Sequence, residues 1–172
     1  MGSLENMKID LKGISDAAAT FEWDLRKDYF EAIEATEVRD GELHAALEVR
    51  KTAGVYELDL HVDGEATVTC DVCLDDMRQP VDTDSHFVVR LGDSYSDDDD
   101  VITVPAEEGE LEMSWLIYEQ IVLAIPTRHV HEEGGCNPDM LARIGQMKAP
   151  ESTAEEDPRW SELRKLKSTI NE

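Results

Sequence analysis

The sequence has few basic residues, few aromatic residues and few cysteines, and each shortage excludes a class of protein. Its 172 residues include 16 lysines and arginines against 40 aspartates and glutamates, which gives a net charge of −24. A surface of that sign repels nucleic-acid phosphate, so we do not expect the chain to bind bare RNA directly. Aromatic residues make up 6 % of the chain, which indicates a modest aliphatic core.

Long apolar segments are also lacking. The most apolar stretch, Leu111 to Ile125, is too short to span a bilayer and contains Glu119 and Gln120. No cationic segment followed by an apolar one occurs near the N-terminus, so no secretory signal is predicted. Three cysteines, two of them in a C-x-x-C, do not have the pattern of a disulfide framework. We therefore expect a cytoplasmic protein without a membrane segment.

Familiar catalytic motifs are missing from the sequence. It contains no glycine-rich phosphate loop, no nucleophile elbow and no H-E-x-x-H motif. Among 40 carboxylates, no pair stands out as a general acid and base. His44, His61 and His86 fall on the polar faces of predicted strands, where solvent-exposed histidine is expected. The sequence therefore predicts a non-enzymatic protein without a small-molecule substrate.

Alternating hydrophobic residues predict one β-rich domain over residues 7–132. Short strands are expected around Ile9 and around Trp23, and Asp28 is expected to cap a helix of one or two turns. From Asp40 to Leu91 the alternation predicts a meander of four antiparallel strands with one solvated face.

Three turns are expected within this meander. Glycine marks the first at Thr52-Ala53-Gly54, and Asp63-Gly64 has the two-residue pattern of a tight hairpin. The third turn contains Cys70 and Cys73. A short strand is predicted again at Val101 to Val104.

The acidic segment of residues 92–100, G-D-S-Y-S-D-D-D-D, interrupts the strand pattern. A calcium loop would need a glycine at the sixth position after Asp93 and a glutamate at the twelfth, and both are missing. We therefore expect a solvated acidic loop. The segment from Leu111 to Ile125 predicts a helix that is apolar nearly all round and that Pro126 ends, so it should lie buried against the sheet.

Together these patterns predict an α+β fold. An antiparallel β-meander, as a sheet or a partly closed barrel, is covered by one buried helix, and a short C-terminal helix follows. Residues 1–6 are expected to be disordered or vector-derived. Residues 133–172 are expected to form a partly mobile arm, with a short helix starting at Asn137-Pro138 and another near residues 158–170.

The cysteines are the candidate site. A C-x-x-C at a tight turn presents two thiolates at the geometry that structural zinc requires. If the fold returns Cys136 to this turn, Cys70, Cys73 and Cys136 could be three ligands, with His131 as the fourth and His129 as an alternate. The other interpretation is that Cys70 and Cys73 are ordinary turn and core residues and that Cys136 is an isolated thiol.

Two other uses of the cysteines have less support. A redox C-x-x-C needs a helix N-terminus to stabilise the thiolate, whereas this turn lies between strands and is flanked by Asp71, Asp75 and Asp76. A nucleophilic Cys136 paired with His131 would need an orienting third group, which the sequence does not indicate.

Four stretches of the chain, in this order, resemble the YceD family, which is named for large ribosomal RNA subunit accumulation. They are T-V-T-C-D-V-C-L-D-D from Thr67, Y-E-Q-I-V-L-A-I-P from Tyr118, G-C-N-P-D around Cys136 and D-P-R-W-S-E-L-R-K-L from Asp157. The resemblance extends from about Met7 to Lys167. The chain departs from the usual family pattern at two places. A basic residue is common in the family at Asp71-Val72, and acidic and polar residues are common at Thr127 to His131.

The resemblance implies a non-enzymatic role in the accumulation or processing of large-subunit ribosomal RNA and in ribosome assembly. Because the charge opposes direct RNA binding, the consistent hypothesis is an acidic adaptor that binds a basic ribosomal protein or assembly factor and associates with the RNA indirectly. The alternative is a general acidic, zinc-containing module that binds basic proteins. Zinc, if bound, would be the only cofactor.

Overall fold

The computed structural model describes residues 4–14, 18–98 and 101–147 of the chain. The chain divides into two units, Met1–Cys136 and Asn137–Glu172. Among the described residues, the first unit contains the strands and the candidate cysteine site, and the second forms one helix. That helix begins at Pro138, as the Asn137-Pro138 pattern predicts, and Asn137 Oδ1 accepts a hydrogen bond from Asp139 N (3.0 Å). The predicted helix near residues 158–170 lies outside the described residues.

Eight strands and three α-helices occur within the described part of the chain, and a 3-10 turn at Leu4–Met7 precedes them. This turn includes residues 4–6, which lie in the segment of residues 1–6 expected to be disordered or vector-derived. The elements are β1 (Lys8–Asp10), β2 (Ala19–Leu25), α1 (Lys27–Ala32), β3 (Asp40–Thr52), β4 (Val55–Thr69), β5 (Asp76–Gly92), β6 (Ser96–Asp98), β7 (Val101–Pro105), β8 (Glu110–Glu112), α2 (Met113–Ala124) and α3 (Pro138–Met147).

Six strands form one open sheet in the order β2-β3-β4-β5-β7-β6. All neighbours are antiparallel except β5 and β7, which are parallel. The predicted α+β fold is therefore confirmed. The sequence allowed either an open sheet or a partly closed barrel, and the structure has the open sheet. The strand at Val101 to Val104 is confirmed as β7, but nothing in its sequence indicated parallel pairing. The acidic segment of residues 92–100 contributes Ser96–Asp98 to this sheet as β6.

The predicted hairpin at Asp63-Gly64 is wrong. β4 continues without a break through Gly64, so the meander has three long strands where the sequence pattern indicated four. A tight hairpin of this type needs positive φ at both central residues, and only Gly64 has it, at φ +133. A Cβ at this position would collide with the Glu42 carbonyl oxygen and lie 2.7 Å from the Leu43 Cα. The glycine therefore permits a close approach of two strands instead of a turn.

The turn at Ala53-Gly54 is confirmed as the hairpin between β3 and β4. Ala53 has φ +50 and Gly54 has φ +88, which is the pair of left-handed residues that a two-residue type I′ turn requires. The register follows from it, with Thr52 opposite Val55 and Lys51 opposite Tyr56. Alternate residues of β3 lie on the buried face of the sheet, and these include Leu43, Ala45, Leu47 and Val49.

α2 covers the buried face of the sheet, as its apolar sequence predicts. Ile117 and Ile121 are fully buried, and the Gln120 side chain accepts a hydrogen bond from Ser85 Oγ on β5 (2.7 Å). The helix starts at Met113 instead of Leu111, because residues 110–112 form β8, which pairs with β1. Its exposed positions include the apolar residues Trp115 and Leu123, so the helix is apolar nearly all round, as predicted, but it is not buried on every side.

α1 packs against α2 through a buried hydrogen bond, in which Tyr29 Oη donates to the Ser114 carbonyl oxygen (2.6 Å). Burial and the neighbouring Tyr118 raise the pKa of the Tyr29 phenol, so it stays a donor at neutral pH. The expected N-cap at Asp28 is wrong: Arg26 occupies the N-cap position, and Asp28 lies in the first turn, where an acidic side chain still interacts favourably with the helix dipole. No helix among the described residues is long and apolar enough to cross a membrane.

Candidate functional site

The C-x-x-C forms the turn between β4 and β5, as the sequence predicts. The Cys70 N–H donates to the Asp75 carbonyl (2.9 Å) and the Leu74 N–H donates to the Cys70 carbonyl (3.0 Å), which closes the turn. Leu74 takes a left-handed conformation with φ +64 to complete it. Because the chain folds back here, the Val72 N–H points at the Cys70 sulfur, 3.4 Å away.

The segment after α2 returns to this turn. Asp71 and His129 make two reciprocal hydrogen bonds: the Asp71 N–H donates to the His129 carbonyl (3.0 Å), and the His129 N–H donates to Asp71 Oδ2 (2.8 Å). The His129 ring lies against the Pro126 carbonyl, with Nδ1 3.1 Å from its oxygen. These bonds fix the start of the loop that carries His131 and Cys136.

Cys70, Cys73, His131 and Cys136 form one cluster, in which one potential ligand atom from each residue lies within 4.8 Å of every other. Cys70 Sγ lies 3.9 Å from Cys136 Sγ, and His131 Nδ1 lies 3.3 Å from Cys73 Sγ and 3.9 Å from Cys136 Sγ. The three thiols are free, Cys70 and Cys73 are buried, and the other two residues are half-buried. The structure therefore brings together the four residues that the sequence selected, and it places the His129 side chain elsewhere.

The turn changes the acidity of the thiols. Burial alone would raise the pKa of Cys70, but hydrogen bonds from the backbone of Cys73, Val72 and His131 outweigh burial and lower that pKa to about 5. Burial, reinforced by the neighbouring thiols of Cys70 and Cys73, raises the pKa of Cys136 to about 11. The N–H groups of the turn thus already stabilise one thiolate, which is the form that binds a metal.

The donor set fits a tetrahedral zinc ion. Zinc–sulfur bonds of about 2.3 Å place two sulfurs of a tetrahedral site about 3.8 Å apart, close to the 3.9 Å between Cys70 and Cys136. Three thiolates and one imidazole are also a known structural ligand set. The four side chains could therefore bind a metal. Across the described ranges this is the one group of His, Cys, Asp and Glu side chains close enough together to do so.

The outer face of the sheet is acidic and solvated. Glu48 lies directly opposite Asp59, and Asp63 lies opposite Asp82, so like charges face each other across two strand pairs. Such pairs destabilise a sheet unless a cation relieves them. Asp59 forms a hydrogen bond with His86 (2.7 Å) and also contacts Arg50. Both interactions lower the pKa of the Asp59 carboxyl group.

The three strand histidines lie on this outer face, as expected, and each is close to an aspartate. Nδ1 of His44 lies 3.2 Å from Asp24 Oδ1, and Nδ1 of His61 lies 2.9 Å from Asp84 Oδ1. Their side chains are between two fifths and three fifths exposed. They therefore have the contacts of surface residues and not those of a buried catalytic group.

The described chain is thus an α+β protein with a Cys3His cluster between a strand turn and the loop after its main helix. The family model described as "Large ribosomal RNA subunit accumulation protein YceD" matches residues 58–167, more than half of the chain. The protein belongs to the YceD family, which confirms the resemblance seen in the sequence. No curated protein and no solved structure shows a significant match.

Sequence reasoning missed the contact between Asp71 and His129. It treated Asp71 as a flanking acid and His129 as an alternate ligand, although the two residues join the halves of the site. The available signal was the pair of departures from the family pattern, since Asp71 belongs to one and His129 to the other. An acidic residue between the cysteines and a histidine after Pro126 are complementary, because His129 Nε2 lies 3.8 Å from Asp71 Oδ1 where the two segments meet.

Proposed function

We propose that this protein is a non-enzymatic factor that supports the accumulation of large-subunit ribosomal RNA and ribosome assembly by binding a basic ribosomal protein or a basic assembly factor. Membership of the YceD family carries the proposal, because the family is named for the accumulation of that RNA. The partner and the mode of action are inferred from the charge.

The charge supports a protein partner over RNA. At −24 the chain has 24 more acidic than basic side chains, whereas binding to phosphate depends on lysine and arginine. Arg50 already contacts both members of the Glu48–Asp59 pair, whereas the Asp63–Asp82 pair would be relieved by a lysine or arginine side chain of a partner. An acidic protein that binds a basic ribosomal protein would also associate with ribosomal RNA indirectly.

Zinc has a structural part in this proposal. Cys70, Cys73, His131 and Cys136 would supply four protein ligands, which leaves no open position for a substrate. Bound zinc would offset most of the charge of the three thiolates and tie the loop after α2 to the turn between β4 and β5. No chemical step is assigned to the metal, and the cytoplasmic location stays a prediction.

The test is affinity capture with the tagged full-length chain at physiological salt. The probes are the total protein extracted from large ribosomal subunits and, separately, naked large-subunit ribosomal RNA. We expect one or a few basic ribosomal proteins to be retained and the RNA to pass through. Retention of naked RNA without any basic protein would overturn the proposal.

The alternative function, a general acidic module, makes a different prediction in the same experiment. Unrelated basic proteins, for which histones and lysozyme are suitable probes, would bind as tightly as the ribosomal protein. We expect them to bind at least tenfold more weakly at 0.15 M salt, where screening weakens contacts that depend on charge alone.

A further inference from the structure

An open groove of about 640 Å³ lies beside the cysteine cluster, between the C-x-x-C turn and the end of α2. Most of its exposed lining is apolar, and its two leucines are among the most exposed large apolar side chains of the described residues: Leu74 is 65 % exposed and Leu123 is 77 % exposed. The aliphatic side chains that line the groove are Val38, Val68, Leu74, Val122, Leu123 and Ile125.

Leu74 is an unusual residue for its position. Its φ of +64 lies in the left-handed region, where glycine or asparagine is tolerated far better than a bulky side chain. The side chain gains little from the core, because most of it faces solvent. The turn accounts for this backbone conformation, but it does not account for a leucine that faces solvent where glycine would suffice, and this favours a contact of the side chain with another molecule.

An acidic depression adjoins the groove. Glu37 and Thr69 line both, so the apolar and acidic surfaces are continuous. Five acidic residues line the depression against two basic ones, Lys27 and Arg39, and the lysine is already within 3.7 Å of Glu31. The acidic residues are Glu31, Glu34, Glu37, Asp40 and Asp76.

We infer that the groove and the adjoining depression bind one segment of a basic partner protein. Apolar side chains of that segment enter the groove between Leu74 and Leu123, and lysine or arginine side chains next to them lie along the acidic depression. The inference rests on the proposed function, which supplies the basic partner. It assigns that partner a second binding surface, in addition to the acidic outer face of the sheet.

A second copy of this chain is a poor occupant of the groove. Glu37 and Asp71 line it, and a net charge of −24 on each copy opposes their approach. Cys70 lines the groove as well, so the turn that carries the cluster also positions Leu74.

The test places the photo-reactive residue p-benzoylphenylalanine at position 123 of the full-length chain. Position 115 is the matched control, because Trp115 is also exposed on α2 (50 %) but does not line the groove. The probe is the total protein extracted from large ribosomal subunits. We expect position 123 to cross-link at least tenfold more efficiently than position 115, to a peptide with apolar residues beside lysine or arginine.

Substitution provides the second measurement. L74E combined with L123E should lower capture of the same ribosomal protein at least tenfold, whereas W115E should leave it unchanged. All three positions are exposed, so the variants should keep the parent circular dichroism spectrum. Equal cross-linking from positions 115 and 123, or unchanged capture by the double variant, would contradict the inference that the groove binds the partner. The proposed function would not be affected by either result.

Two other outcomes also decide the matter. Cross-links from position 123 to a second copy of the chain would make the groove a self-association surface and overturn the inference. If the parent captures no basic ribosomal protein at all, the proposed function fails first and the inference falls with it.

Discussion

Asp71 and His129 are 58 residues apart in sequence and bind each other through two hydrogen bonds, one of 3.0 Å between main-chain groups and one of 2.8 Å to the Asp71 carboxylate. Neither bond uses one of the four candidate ligand atoms. They place the loop that carries His131 and Cys136 against the turn that carries Cys70 and Cys73, so they support the cluster from outside it. Interactions that orient ligands in this way contribute to metal affinity.

We first predict that D71A weakens zinc binding although all four ligands remain. Loss of the carboxylate frees the His129 N–H and loosens the loop, and removing such supporting partners lowers affinity by about 10–100-fold. Competition with a chromophoric chelator measures the change. D71N should lose less, because its amide oxygen can still accept the bond. D93A, in the turn after β5, is the matched control, and equal affinity of D71A and D93A would contradict the role of Asp71.

Next, protein purified without chelator should contain close to one zinc per chain, and C70S and C136S should each lose it. A ligand present at 1,000 times its Kd stabilises the folded state by about 4 kcal/mol. At about 2–4 °C per kcal/mol for a chain of this size, zinc removal should lower Tm by roughly 10 °C. Metal analysis and calorimetry with and without chelator measure both values. A metal-free parent with an unchanged Tm would leave the cysteines as ordinary residues of the turn and core.

Substitution of the two histidines of the loop, His131 and His129, should have different effects on zinc content. H131A removes a ligand atom that lies 3.3 Å from the Cys73 sulfur, so zinc content should fall to near zero. H129A should retain zinc, because its two hydrogen bonds with Asp71 use the main-chain N–H and carbonyl, which alanine keeps. Only a 3.8 Å contact between the imidazole and the Asp71 carboxylate is lost. Zinc content of the two variants, measured side by side, decides between them. Loss of zinc from H129A but not from H131A would make His129 the fourth ligand instead of His131.

Gly64 provides a prediction about the sheet. G64A adds a Cβ that collides with the Glu42 carbonyl and forces alanine to adopt φ +133, so we expect a loss of about 3 kcal/mol in the free energy of unfolding. Urea denaturation measures it. G145A is the matched control, because a Cβ meets nothing within 4 Å there, and alanine favours the interior of α3. Equal stability of G64A and the parent would contradict the close approach of β3 and β4.

Local patterns predicted the parts of this fold that depend on neighbouring residues. Alternation of apolar residues located β2, β3 and β7, and the apolar run that ends at Pro126 located α2. Asp63-Gly64 wrongly predicted a hairpin, because the same two residues also suit a continuous strand whose backbone lies unusually close to the neighbouring strand. The 13 residue pairs between β3 and β4 favour the continuous strand. Those pairs are long-range contacts, so the two residues of the turn pattern could not predict them.

The sequence by itself determined the chemistry available at the site: three thiols, two neighbouring imidazoles and a net charge of −24. Tertiary structure decided which of these groups meet. Cys70 and Cys136 are 66 residues apart, and their sulfurs come within 3.9 Å because α2 crosses the sheet and the loop after it binds Asp71. It also placed His131 in the cluster and His129 outside it. Residue types set what a site can bind, whereas long-range pairing sets which residues form it, and that pairing depends on contacts between segments that share no local pattern.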